Sequence, residues 1–273
     1  CLGGLGIALC AGYTFQDYLL YFPTIQNSRS EFMKPSCRSL RNSFEEHFIT
    51  TPDNVSLNLW LFRQPVATRP TILFFHGNAG NISHRLPNIR LLFEVMNYNV
   101  AILEYRGFGK SSGWPHQKGI QIDAKAALQW IKSQEGTPDS PIIVFGRSLG
   151  GAVAIHLAAE MQDEIDAIIV ENTFTGIADM MDVVASFLSW AKILLRNPWK
   201  SISIVDQIKI PFLFVSSTED ELVPAYMMKQ LYEKATSPQK KMIELPTHHM
   251  DACAHPSYCT EIKAWCDSVG LSQ

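Results

Sequence analysis

Residues 142–160 read IIVFGRSLGGAVAIHLAAE. Ile142 to Phe145 form a short apolar run bounded by a turn signal, the pattern of a strand buried on both faces. From Leu149 to Glu160 the pattern is helical, and Gly150, Gly151, Ala152 and Ala154 put the smallest side chains on the turns nearest the strand. Gly146-Arg147-Ser148-Leu149-Gly150 therefore sits between a strand and a helix. In that setting a G-x-S-x-G match places its serine on a sharp turn, where the hydroxyl is presented as a nucleophile. In any other setting the same five residues are an ordinary glycine-rich turn.

The stretches on either side give the fold class. EEHFITT, the turn Pro52-Asp53-Asn54 and VSLNLWLF predict two antiparallel strands over residues 45–63. From residue 71 short apolar runs alternate with helical stretches. TILFF precedes a helix near 85–97, VAILEY precedes KGIQIDAKAALQWIKS, and AIIV, PFLFV and MIEL follow the opening stretch, with a last helix near 257–268. This alternation predicts a mainly parallel central sheet with helices on both faces. Residues 174–208 interrupt it with Ile177, Met180, Met181, Val183, Val184, Phe187, Leu188, Trp190, Ile193 and Leu194. A helix apolar on every side must be covered, so the segment reads either as a short helical lid over an apolar pocket or as packed core.

The chain has 273 residues, 47% of them hydrophobic, and a net charge of −3. That length can bury the core of a single α/β domain, and the charge supplies no basic field of the kind nucleic-acid binding needs. The start differs from the rest: CLGGLGIALCAGYTF has no ionised side chain before Asp17 and no basic one before Arg29. This run is shorter than a spanning helix requires. Because the chain begins at Cys1, the expectation is a membrane anchor over 1–22 whose remainder lies upstream, ahead of a domain over 23–273. The competing readings are a buried N-terminal helix or the tail of a signal peptide. Six cysteines form no C-x-x-C, so no metal site is expected. Cys253 and Cys259 are read as buried free thiols, with pairing as the alternative in an oxidising compartment.

A serine hydroxyl attacks well only beside a base, with a carboxylate orienting that base and N–H donors where the oxyanion forms. Ser148 is the candidate nucleophile. The loop His76-Gly77-Asn78-Ala79-Gly80-Asn81 follows TILFF, where the second oxyanion loop of such enzymes belongs. The donors expected are the N–H groups of Asn78 and Leu149, and His76 is expected to orient the loop. Asp220, in Ser217-Thr218-Glu219-Asp220-Glu221, follows PFLFV and fits the order Ser…Asp…His. Glu219 and Glu221 read as solvated charges, and Glu171 at the end of AIIV is the rival acid. The base must come from the loop after MIEL, which offers His248, His249 and, further on, His255.

Taken together, HGNAGNISHRLPN, EYRGFGKSSG, GRSLGGAVAIHLA and VENTF, with QDYLLYFP and MMKQLYE, resemble the α/β-hydrolase superfamily, specifically the α/β-hydrolase domain-containing protein 13 group and the fungal bud-emergence hydrolases. That group is similar in turn to depalmitoylases that cleave cysteine-linked acyl chains. The resemblance covers nearly the whole chain. It implies an α/β-hydrolase fold, a single-pass signal anchor and a serine hydrolase built on Ser148, Asp220 and a histidine in an H-N-D context. His249-Met250-Asp251 matches that context better than His248. In three places the chain departs from the family pattern: Glu104 stands where the family has Asp, Thr247 and His248 replace the glycines usual before the catalytic histidine, and the anchor is incomplete. The reaction implied is cleavage of an ester or thioester in an acyl-bearing small molecule, lipid or protein, without metal or organic cofactor. The alternatives are an aminopeptidase-like or small-ester hydrolase on the same fold, or a non-catalytic scaffold.

Overall fold

Each apolar run becomes a strand. The computed structural model describes residues 13, 16–66, 68–134 and 140–271. Its eight strands are β1 (Phe44–Thr50), β2 (Ser56–Phe62), β3 (Thr71–Phe75), β4 (Asn99–Leu103), β5 (Ile142–Arg147), β6 (Ala167–Glu171), β7 (Phe212–Ser217) and β8 (Lys240–Leu245). They form one sheet in the order β1-β2-β4-β3-β5-β6-β7-β8. β1 and β2 are antiparallel to each other, and β2 is antiparallel to β4. From β4 to β8 every pairing is parallel.

The helices are α1 (Arg38–Ser43), α2 (Leu86–Arg90), α3 (Gln117–Lys132), α4 (Leu149–Met161), α5 (Ile177–Val184), α6 (Ala225–Lys234) and α7 (Tyr258–Ser268). The helix expected near 85–97 is only partly regular: α2, with Pro87 in its first turn, runs into a wider π turn over Leu91–Val95. Side chains alternate across a strand, and both faces of this sheet are covered. Leu73, Phe75 and Val144 pack with Ile120 and Leu128 of α3, Val153 of α4 and Met228 of α6. Ile72, Phe74, Phe145 and Ile169 pack on the other face with Ile89, Phe93 and the α7 residues Ile262 and Trp265. Two-sided burial is why these strands are continuously apolar in sequence.

After β3 the chain crosses to β4 on one side, and β5 then returns to pair with β3 on the other. This is a topological switch point, where the loops leaving the carboxyl edge diverge and open a crevice. The loop after β3 and the turn after β5 both lie there, since Phe75 pairs with Gly146.

Two sequence expectations change in detail. Of the lead over 1–22, residues 1–12, 14 and 15 lie outside the described residues; residues 16–20 are helical and pack on the domain, with Asp17 and Tyr21 buried. Folded structure thus begins ahead of residue 23. Among the described residues no helix is long and apolar enough to cross a membrane. The segment between β6 and β7 holds α5 and a 3-10 helix over Ser186–Leu194; its two ends join the core through Phe174, Ile177, Trp199 and Val205, whereas Val184, Phe187, Trp190 and Ile193 in its middle are exposed, Ile193 to 90%.

Candidate active site

The turn after β5 is dictated by close packing. A Cβ on Gly146 would lie 2.0 Å from the carbonyl oxygen of Gly150, and one on Gly150 would lie 2.0 Å from that of Phe75. Both contacts are with backbone, which cannot swing aside, so glycine is required at each position. Between them Ser148 has φ +54° and ψ −119°, outside the regions L-residues favour. Holding a residue there costs on the order of 1–3 kcal/mol, and neighbours must enforce it. The enforcing bonds are Ser148 N–H to the Glu171 carbonyl at 2.8 Å and Thr173 Oγ1–H to the Ser148 carbonyl at 2.8 Å. Gly77 brings the β3 loop alongside, since a Cβ there would stand 3.6 Å from Ser148 Cβ. Leu149 opens α4; N–H groups in a helix's first turn have no intrahelical partner and sit at its positive end.

Asp220, on the loop after β7, and His249, on the loop after β8, come together. His249 Nδ1 lies 2.7 Å from Asp220 Oδ2, and both side chains are buried, 5% and 1% exposed. The other oxygen of Asp220 accepts from the backbone N–H groups of Leu222 at 2.9 Å and Val223 at 2.7 Å. The carboxylate is thereby fixed in orientation before it meets the imidazole. His248 turns outward: its side chain is 60% exposed, and its Nδ1 approaches the Glu219 carbonyl at 3.0 Å. His255 stands apart, accepting from the Ser257 N–H at the start of α7. Glu221 accepts from the His249 N–H at 3.1 Å, and hydrogen bonds from its own N–H and that of His249 hold its carboxyl below the usual range. Of the flanking acids, only Glu219 has no evident part in shaping the loop through its side chain.

Glu171 is not placed to serve the imidazole. It is fully buried, with Arg147 Nε 3.2 Å from Oε1 and the Tyr258 hydroxyl donating to Oε2 at 2.6 Å. Burial, with Glu171 alongside, raises Tyr258 well above an ordinary phenol, which keeps its donor proton in place. The same Arg147 donates through Nη2 to the His249 carbonyl at 2.9 Å, and Asn172 Nδ2 donates to that carbonyl at 3.1 Å. Asn172, itself at φ +47°, also brackets Ser217, accepting from its N–H and donating to its Oγ. The residue beside Ser148 and the residue after β6 thus jointly hold the histidine loop.

His76 is buried, with Nδ1 2.7 Å from the Gly77 carbonyl and Nε2 3.3 Å from Glu104 Oε1. It orients the β3 loop. Glu104 joins in by accepting from the Ile82 N–H at 3.1 Å, so this departure from the family residue serves loop architecture. Arg147, Asn172 and Tyr258 are absent from the sequence-derived site. A charged residue inside an otherwise buried motif was a usable signal for Arg147; nothing local marks Tyr258. The four described cysteines, Cys37, Cys253, Cys259 and Cys266, are free thiols, and burial raises both Cys259 and Cys266 to about 11.

Residues 70–199 match the family model for the alpha/beta hydrolase fold. The chain is 41% identical over 263 residues to the alpha/beta hydrolase domain-containing protein WAV2 of Arabidopsis thaliana, covering 90% of this chain and 84% of the relative. This chain belongs to the α/β-hydrolase family. It is also 39% identical to protein bem46 of Schizosaccharomyces pombe, over 92% of this chain and 86% of that protein. Among solved structures, the Pyrococcus furiosus esterase Pf2001 superimposes with a TM-score of 0.72 at 21% identity, covering 88% of this chain and 98% of that one. At that identity the likeness concerns the fold alone.

Proposed function

We propose that this α/β hydrolase is a serine hydrolase that cleaves an ester or thioester through Ser148, His249 and Asp220. The carrying observation is the buried 2.7 Å contact of His249 Nδ1 with Asp220 Oδ2, on a loop tied by Arg147 to the Ser148 turn. In the reaction, Nδ1–H of His249 donates to Asp220, which leaves Nε2 to accept the Ser148 hydroxyl proton as Oγ attacks the acyl carbon. The carbonyl oxygen becomes an anion held by the N–H groups of Leu149 and Asn78, a contribution typically worth ~10²–10³ in turnover per donor. The imidazolium then protonates the departing alcohol or thiol as its bond to the acyl carbon breaks. Water, deprotonated by the same imidazole, attacks the acyl-enzyme, releasing the acid and restoring Ser148.

The substrate class in this proposal is an acyl lipid or acyl protein, depalmitoylation included. Its support is the apolar character of residues 177–194, together with the uncharged lead at the start of the chain. A membrane location is part of the same proposal. A Saccharomyces cerevisiae relative, 31% identical over 94% of this chain, is named an uncharacterized membrane protein.

A fluorophosphonate probe tests the nucleophile. Labelling of the wild type that disappears in Ser148→Ala is the expected result, and equal labelling of both proteins rejects the assignment. Matched acyl esters, acyl thioesters and aminoacyl amides of increasing chain length then test the substrate class. Preference for long acyl esters or thioesters is expected, and preference for the amides overturns the class.

A further inference from the structure

One short segment outside the proposed triad ties together two distant stretches of the chain. Residues 16–20 form a helical turn that continues into Tyr21 and Phe22. On one side this segment holds the loop after β3. Asn78 Nδ2 donates to the Leu20 carbonyl, and Phe22 pairs with Ala79 in an isolated parallel bridge. On the other side it holds the chain that returns from the 177–194 excursion. Gln16 Nε2 donates to the Leu194 carbonyl at 3.1 Å, and Gln16 Oε1 accepts from the Arg196 N–H at 2.6 Å.

Between these ends lies a buried polar node. Asn197 Nδ2 donates to Asp17 Oδ1, Tyr21 donates to Asn197 Oδ1 at 3.3 Å, and Trp199 Nε1 donates to the Tyr21 oxygen at 2.9 Å. Asp17, Tyr21, Asn197 and Trp199 are all buried. A buried polar group left unpaired is costly, so the node resists sliding or partial opening. It acts as a rivet between the segment and the base of the excursion.

The consequence for chemistry follows from how an oxyanion donor works. Its N–H must aim at the position the charge will occupy, not at the ground-state carbonyl. The Asn78 N–H direction depends on the loop backbone, and Asn78's own side chain ties that backbone to Leu20. Its Oδ1 is buried with no hydrogen-bond partner among the described residues, so the bond to Leu20 is the hydrogen bond orienting this side chain.

We propose that Gln16–Phe22 is a positioning strap that holds Asn78 and the base of the 177–194 excursion in one fixed relation, so that the oxyanion donor is aimed before substrate arrives. The strap rests on the proposed function, because it needs the Asn78 N–H as an oxyanion donor. Misaiming a donor raises the barrier without weakening ground-state binding, so the strap acts on kcat and leaves KM nearly alone.

The test uses the full chain, with active sites counted by fluorophosphonate labelling so that rates refer to folded enzyme. If the wild type does not label at Ser148, the hydrolase reading fails and the strap falls with it. If it labels, kcat and KM are measured on a short aryl ester for Asn78→Ala, Tyr21→Phe and the double variant. Losing the aim but not the donor lowers kcat about tenfold in Asn78→Ala, below the full cost of a deleted donor. Tyr21→Phe lowers it about threefold, and the double variant is no slower than Asn78→Ala, since the two changes break one linkage. KM stays within about twofold throughout, as it does when only a transition-state interaction is lost. Unchanged kcat per labelled site, or losses that multiply in the double variant, overturns the strap. A fall in melting temperature with kcat intact also overturns it, because that is what a purely structural role predicts. Should Asn78→Ala fail to fold, Gln16→Ala combined with Tyr21→Phe gives the same readout at the segment's other end.

Discussion

The Ser148 turn and the 177–194 excursion both depart from the carboxyl edge of one sheet, yet they follow opposite rules. At the turn, backbone touches backbone: Gly146 against Gly150, Gly150 against Phe75. An unfavourable serine conformation is held there by the hydrogen bond its N–H donates to the Glu171 carbonyl and the one its carbonyl accepts from Thr173. In the excursion, large apolar side chains face outward, and its ordered attachments gather at the base around Asn197 and Trp199. The first region tolerates almost no change in shape; the second can change widely at little cost to folding. A fold divided this way keeps the Ser148 turn constant and leaves the surroundings free to differ.

The contrast is tested most severely at the buried acid. Asp220→Asn keeps the shape but reverses the hydrogen bond the imidazole needs, and the expected loss is ~10⁴ in kcat, the scale seen for that change in a serine protease. Glu221→Gln, at the next position of the same loop, should change kcat less than tenfold in the same assay. Comparable losses in the two variants would mean that the acid is misassigned.

Next comes the charge behind Ser148. Arg147→Met leaves Glu171 buried and uncompensated, and removing one partner of such a pair costs about 3–5 kcal/mol. Urea unfolding should register that loss, and adding Glu171→Gln should recover part of it. If the double variant is as unstable as the single, the pair is not what holds the region.

A smaller effect lies at the seam between the two regions. His156, on α4, has its ring 5.2 Å from Trp199 and its Nδ1 3.0 Å from Gln121 Nε2. Burial pulls it from 6.5 down to about 4. Between those values the unfolded chain binds the extra proton, so the folded state is favoured fully above pH 6.5 and loses ground as the pH falls through 4. Melting temperature should fall over that window, and His156→Gln should flatten the fall. An unaltered slope would move the titrating group elsewhere.

The smallest effect is expected on the exposed excursion. Ile193→Ser should shift stability by no more than ~0.5 kcal/mol, as for most surface changes. A loss several times larger would show that this face is covered, and the contrast with the turn would narrow.

The same division explains what could be read from the residues alone. The strands were legible because a strand buried on both faces is continuously apolar, as in TILFF and IIVF. The turn was legible because its glycines answer a local steric demand. Ser148, Asp220 and the β3 loop follow from chain order along the sheet edge. The choice between His248 and His249 does not, because it depends on which ring turns inward after Thr247. Nor do the ties of Arg147 to His249 and Tyr258 to Glu171, which span 102 and 87 residues. The exposure of Val184, Phe187, Trp190 and Ile193 was equally hidden: an all-apolar pattern states that a surface is apolar, not whether anything lies against it. The packing of residues 16–22 was obscured for a similar reason, since Asp17 and Tyr21 find partners 176 and more residues away.

Strands β6 and β7 are parallel hydrogen-bonded neighbours, with Ile168 opposite Phe212 and Glu171 opposite Val215, so the sheet itself fixes where the intervening segment leaves β6 and where it enters β7. Residues 177–193 can therefore be exchanged as a cassette, lengthened or shortened between relatives, without disturbing the spacing of the strands beneath. The graft boundary is set by the grip of Gln16 on Leu194 and Arg196. A chimaera joined before residue 194 keeps its own anchorage; one joined beyond it inherits a severed one.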